Sequence, residues 1–160
     1  MNPSLINRRG IYKDVYGSIE KFTEYQFRPN ICIAMSYAPE LFEQEHAAIC
    51  LQNVADILME KNCMGIKTLD PKDKQYNGDY VNSDASHGWN YHQGPEWVWP
   101  VGFFLKAQLI FKEYSNSEEA INDTMKWLIP HKEHILKDRW QGLPELTNSH
   151  GKICVDSCVT

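Results

Sequence analysis

From Glu96 to Tyr114 the chain is apolar almost all round: Val101, Phe103, Phe104, Leu105, Leu109, Ile110 and Phe111 leave little polar face for water. A helix with apolar side chains on nearly every side is stable only when other elements cover it. This segment is therefore expected to be an inner helix, entered between Pro95 and Pro100, with Pro favoured in the first helical turn. Its best cover runs from Glu43 to about Lys61, where Ala47, Leu51, Val54, Ala55 and Leu58 recur at spacings of three and four. Glu45, Gln52, Asn53 and Asp56 fall off that stripe, as in an amphipathic outer helix. A second outer helix is expected after Ser115-Asn116-Ser117-Glu118, which reads as a capping box, and it carries Ile121, Met125, Leu128 and Ile129 on to about Lys137. Pro130 inside it predicts a kink or break. Residues 30–38 form a short apolar run, and Ala34, Met35 and Ala38 favour helix over strand there. The expected fold is all-α, with no sizeable sheet, a loop over residues 1–27 and a long irregular connection over residues 62–95. The order short inner helix, outer helix, long loop, inner helix, outer helix, loop repeats one architectural unit.

At 160 residues the chain is the length of one domain, and 42% hydrophobic residues with nine Gly place it among globular rather than disordered chains. Sixteen Lys and Arg against 21 Asp and Glu leave a net charge of −5, which argues against a nucleic-acid partner, since phosphate binding needs a basic face. No apolar run approaches the roughly 20 residues of a membrane span, and MNPSLINRRG has no apolar signal region, so a cytoplasmic protein is expected. The five Cys, at 32, 50, 63, 154 and 158, form no CxxC pair and read as packing residues in a reducing compartment, Cys154 and Cys158 sharing a helix face. No cofactor motif is present.

The residues with chemical potential gather in HGWNYHQGPEWVWP, residues 87–100, which sets three Trp, a Tyr, two His, a Gln and a Glu around a Gly-Pro turn. Such a surface suits a sugar: its C–H faces lie on aromatic rings while Asn90, His92, Gln93 and Glu96 offer donors and acceptors to its hydroxyls. His87, His92 and Glu96 do not have metal-ligand spacing, and no metal site is expected. Glu96 and Glu145 each follow a proline in different loops, as two carboxylates flanking a glycosidic bond would require. Each also has a plainer reading. A Pro-Glu pair at a helix start caps the helix, and for Glu96 the two readings stand level. For Glu145, with no helical pattern after it, chemistry is favoured.

RRGIYKDVYG, RPNICIAM, APELF, GIKTLDP, YNGDY, NYHQGPEWVWPVGFFLKA and GLPELTN, in that order, closely resemble the C-terminal amylo-α-1,6-glucosidase domain of the eukaryotic glycogen debranching enzymes, over about Arg8 to Cys158. The resemblance implies an (α/α)6 toroid, of which these four helices, two inner and two outer with long loops, would be about a third. It implies hydrolysis, with inversion, of the α-1,6-linked glucose at a glycogen branch point, in glycogen catabolism, with glycogen or its limit dextrin as partner. By the same resemblance Glu145 is the general base, and Arg28, Asn30, Trp89, His92, Gln93, Glu96 and Trp97 bind substrate. The general acid is an Asp in an earlier part of the toroid, and the family's 4-α-glucanotransferase activity belongs to a separate domain. In the family the Ser-Cys pair, here Ser157-Cys158, continues into a last inner helix. Residues 1–160 thus read as one domain incomplete at both ends, a fragment or degenerate copy whose further partner is the missing remainder of the toroid. Alone it is expected to be inactive. The alternatives are a non-catalytic glucan-binding module and a helical interaction fragment.

Overall fold

A computed structural model describes residue 6 and residues 9–81 and 89–157 of the chain; the expectations for His87 and Cys158 fall outside these residues. Four α-helices dominate: α1 (Ile31–Tyr37), α2 (Gln44–Asn53), α3 (Pro100–Phe111) and α4 (Ser117–Lys137). The apolar α3 is central. It packs most extensively on α1 and also on α2, and its Phe104 and Ala107 are wholly buried. Around them Cys32 and Met35 of α1, Leu51 of α2 and the following Val54 and Leu58 complete the main core. Burying each such large side chain contributes on the order of 1.5–3 kcal/mol relative to exposure. The helix expected over residues 43–61 ends as α at Asn53 and finishes in a π-helical turn, Val54–Leu58.

Three expectations are corrected. A small antiparallel sheet joins the connections: β1 (Ile66–Lys67), β2 (Glu96–Trp97), β3 (Leu146–Asn148) and β4 (Lys152–Ile153), in that spatial order. The register sets Lys67 and Thr147 opposite Glu96, and Ile66 and Leu146 opposite Trp97. Glu96–Trp97 is thus strand, and the helix begins only at Pro100. The approach of β1 to β2 requires Gly65, where a Cβ would lie 2.4 Å from the Glu96 carbonyl oxygen. Second, α4 runs through Pro130 without the break that is one of the two outcomes expected there, and its cap is shifted one residue from the expected box. Asn116 accepts from the Glu119 N–H at 2.9 Å, while the Glu119 carboxylate accepts from the Ser115 N–H at 2.7 Å. Third, Cys154 lies beyond β4 rather than on a helix, buried with Tyr80, Trp97 and Leu146 in a second, smaller core.

The α4 stripe faces outward more than inward. Ile121, Met125, Ile129 and Leu136 are exposed, His131 is the buried residue of the helix, and only Trp127 and Leu128 lean on the main core. No described helix is long and apolar enough to cross a membrane.

Candidate functional site

Where β2 turns into α3 and the chain before α1 comes alongside, a cavity of about 200 Å³ opens. Arg28, Pro29 and Asn30 line one side of it, and Trp97, Trp99 and Pro100 another; Thr68 and His92 complete the wall. The aromatic wall is built by packing. The His92 ring stacks on Trp97 with centroids 4.8 Å apart and planes at 27°, and Tyr91 meets Trp97 edge-on at 4.8 Å. The Trp97 indole N–H donates to the Tyr91 carbonyl at 2.9 Å, so the bend of residues 89–94 is folded over its own strand. Gly94 permits that fold: its φ is +154°, and a Cβ there would lie 2.4 Å from the Asn77 carbonyl oxygen. Trp99, half-exposed, stands at the mouth with its ring against Phe103.

Arg28 lines the cavity, but its guanidinium is committed to the scaffold. Nη1 donates to the carbonyls of Thr68 (3.1 Å) and His92 (2.6 Å), and Nη2 to the side-chain oxygens of Gln26 (3.0 Å) and Gln93 (2.6 Å). All four Nη hydrogens are used, which leaves only Nε–H to face a ligand. Arg28 and Gln93 therefore clasp the loop before α1 to the loop before β2. Burial pulls the Arg28 pKa below its ordinary value, opposed by the charges of Asp14 and Asp73. Asn30 donates to the Asp14 carboxylate at 2.9 Å, keeping its own carbonyl oxygen as an acceptor beside the cavity.

Glu145 precedes β3 and is half-buried. Its carbonyl oxygen accepts from the Val98 N–H at 3.2 Å, which fixes it one residue beyond Trp97 on the adjoining strand. Its charge reaches the aromatic wall. Burial, then the Arg28 charge, lowers the His92 pKa, and Glu145 acts in the opposite direction. The structure thus brings Arg28, Asn30, His92 and Trp97 to one cavity, with Gln93 bonded to Arg28; Glu145 is not among the lining residues, though its charge acts on His92. Trp89 is 56% exposed and outside the lining. Thr68 and Trp99, absent from the sequence-based set of binding residues, line the cavity, and Asp14 sits behind Asn30. Trp99 had a signal in the Trp-Val-Trp-Pro run; Thr68 and Asp14 had none beyond lying in segments with a family resemblance.

Glu96 is corrected. It is 0% exposed and points to the opposite face of the sheet from Trp97, as strand alternation requires. There its Oε2 accepts from Thr147 Oγ1 (3.0 Å) and the Gly151 N–H (3.1 Å), and its Oε1 lies 3.4 Å from Lys67 Nζ. Glu60, Cys63 and Glu96 bring potential metal ligands within 4.8 Å of one another. The cation of this cluster is the Lys67 ammonium, 3.0 Å from Glu60. Burial, then the charges of Glu96 and Glu60, push the Cys63 thiol up to about 12. A larger groove of about 460 Å³, lined by Leu51, Gln108 and Phe111 among others, includes none of the candidate residues.

The sequence is similar to that of known proteins over nearly its whole length. The family model described as amylo-alpha-1,6-glucosidase matches residues 3–160. The glycogen debranching enzyme of Saccharomyces cerevisiae is 40% identical over 172 residues, an alignment covering 97% of this chain and 11% of the yeast protein.

Proposed function

The chain belongs to the amylo-alpha-1,6-glucosidase family, and from that premise we propose that its cavity holds the single α-1,6-linked glucose of a glycogen branch stub with Glu145 as general base. The chain spans about a tenth of the length of the yeast relative, so the reaction is assigned to a longer protein in which this segment supplies the base and one wall of the glucose site. What supports the reading is that the Val98–Glu145 backbone bond sets Glu145 on the strand next to Trp97 and that the Glu145 charge acts on His92, which stacks on Trp97. A cavity of about 200 Å³ is smaller than the roughly 300–1,000 Å³ of sites for drug-sized ligands, and suits one sugar ring rather than a chain of them.

In the proposed step Glu145 takes a proton from a water as the water oxygen bonds to the anomeric carbon. The bond from that carbon to the glycosidic oxygen breaks, and an acid on the opposite side of the sugar, supplied from outside this segment, protonates the leaving oxygen. Inversion leaves room for the water between two carboxyl groups about 6.5–9.5 Å apart. Trp97 and His92 would take the C–H face of the ring, and the Asn30 carbonyl and Arg28 Nε–H would meet hydroxyls.

A test is to put this chain in place of the matching segment of the yeast enzyme and to measure glucose release from a limit dextrin. Release that falls by about 10²–10⁴-fold with Glu145→Gln, glucanotransfer staying nearly unchanged, supports the reading. Undiminished glucose release with Glu145→Gln contradicts it.

A specific observation also favours a packing role within that longer protein. Ile121, Met125, Ile129 and Leu136 on α4, with Tyr37, Leu109 and Ile110 on α1 and α3, leave broad apolar faces exposed. Faces of this kind mark surfaces that other elements cover. We assign them to the remaining helices of an (α/α)6 ring in a cytoplasmic enzyme of glycogen breakdown.

A further inference from the structure

The residue that the sequence places beside Trp97 as a sugar contact has a different role in the fold. Glu96 is 0% exposed, and so is Thr147, while Lys67 is 6% exposed. Glu96 is the middle member of a three-strand rung, opposite Lys67 on β1 and Thr147 on β3. Its two carboxylate oxygens divide between those neighbours: Oε1 faces Lys67 Nζ at 3.4 Å, and Oε2 accepts from Thr147 Oγ1 at 3.0 Å and from the Gly151 N–H at 3.1 Å. The contact extends outward, because Lys67 also donates to Glu60 at 3.0 Å and Glu60 meets His150 Nδ1 at 2.8 Å.

Strands of two and three residues have too few ladder bonds to hold a register by backbone alone. A buried ion pair adds little net stability over apolar residues, and its best-attested use is to specify register. Trp97 directly follows Glu96, and Glu145 is two residues before Thr147. We infer that Glu96 is a positioning residue: its buried carboxylate, ion-paired with Lys67 of β1 and hydrogen-bonded to Thr147 of β3, sets the separation of Trp97 from Glu145 and never touches the sugar. The assignment of a catalytic consequence rests on the glucosidase reading; the pinning of the strands does not.

The test uses the 160-residue chain and two readouts. Amide hydrogen exchange at Val98, whose N–H is bonded to the Glu145 carbonyl, reports the pin, with Phe104 in α3 as the reference. Titration with glucose, followed by tryptophan fluorescence, reports the cavity. Lys67→Met leaves the Glu96 carboxylate buried without its cation, and Val98 exchange should accelerate on the order of tenfold or more over Phe104. Combining Lys67→Met with Glu96→Gln removes both charges while an amide still accepts from Thr147 and Gly151, and should restore slow Val98 exchange and glucose affinity together. A milder variant, Thr147→Val, should accelerate Val98 severalfold and leave Phe104 unchanged. Unchanged Val98 exchange in Lys67→Met and Thr147→Val, or acceleration shared equally by Phe104, overturns the inference. If the unmodified chain shows no glucose binding while Val98 exchange follows the order above, the glucose reading falls and the pin stands.

Discussion

Glu96 and Trp97 are consecutive, both buried, and both belong to the motif that reads as a sugar surface, yet they face opposite sides of the sheet. On the Trp97 side lie stacked rings and a cavity. The Glu96 side is a set of charges and hydrogen bonds that is buried at Glu96 and opens, at Glu60, Lys67 and His150, on a groove of about 480 Å³. The difference comes from one property of a strand, that successive side chains alternate across it. A motif read as a run of letters merges two surfaces that the backbone separates, and their side chains do different work.

The comparison implies that substitutions on the cavity face change chemistry, while those on the charged face change stability. The largest contrast is expected at the two glutamates. Glu145→Gln, at a half-buried position, should lower glucose release by the longer enzyme about 10²–10⁴-fold with little change in its unfolding midpoint. Glu96→Ala leaves Thr147 and the Gly151 N–H without their acceptor and Lys67 with Glu60 alone, and should destabilise the chain by roughly 1–3 kcal/mol, measured by denaturant unfolding. A Glu96→Ala variant as stable as the parent would erase the distinction between the faces.

Smaller effects sharpen it. Trp99→Ala removes a half-exposed ring at the cavity mouth and should weaken glucose binding severalfold in a fluorescence titration while leaving the unfolding midpoint nearly in place. The charged face should also show in the pH dependence of stability. Burial alone would lower the Lys67 pKa, but the Glu60 hydrogen bond and the Glu96 charge outweigh it and raise the folded value above 10.5. A raised folded pKa gives stability that is complete below the unfolded value and lost as pH rises through the folded one. Thermal unfolding should therefore decline above the ordinary lysine range in the parent, and less in Lys67→Met. Glu60, held low by His150 and then by Lys67, acts at the other end: its contribution is present above its unfolded value and lost as pH falls through the folded one. Least of all, Leu136→Glu on exposed α4 should move the midpoint by no more than about 0.5 kcal/mol in denaturant unfolding.

The helical half of the fold was legible because its signals are long. The mostly apolar run of α3 reads as a helix that other elements must cover, and the Asn116–Glu119 cap lies within one residue of the expected box. The sheet was illegible for the opposite reason. Two-residue strands such as Ile66–Lys67 are too short to show alternation, and Pro95 and Pro100 around Glu96 mimic a helix start. Cavity residues inside the aromatic motif, His92 and Trp97, could be named from sequence because rings beside polar groups are rare in loops without a purpose. Thr68 could not, since its place depends on the Gly65 approach of β1 to β2. The direction of Glu96 depends on the same strand pairing, so its role was hidden with it.

The central claim is that the Trp97 face takes a glucose unit and the Glu96 face does not. It is tested most directly by adding glucose to the nitrogen-labelled 160-residue chain and following the indole N–H signals of Trp97 and Trp99, the Asn30 side-chain amide and the His150 ring. Saturable shifts at Trp97, Trp99 and Asn30, with His150 unmoved, are the result predicted here. Saturable shifts at His150, or none at the Trp97 indole, would contradict it.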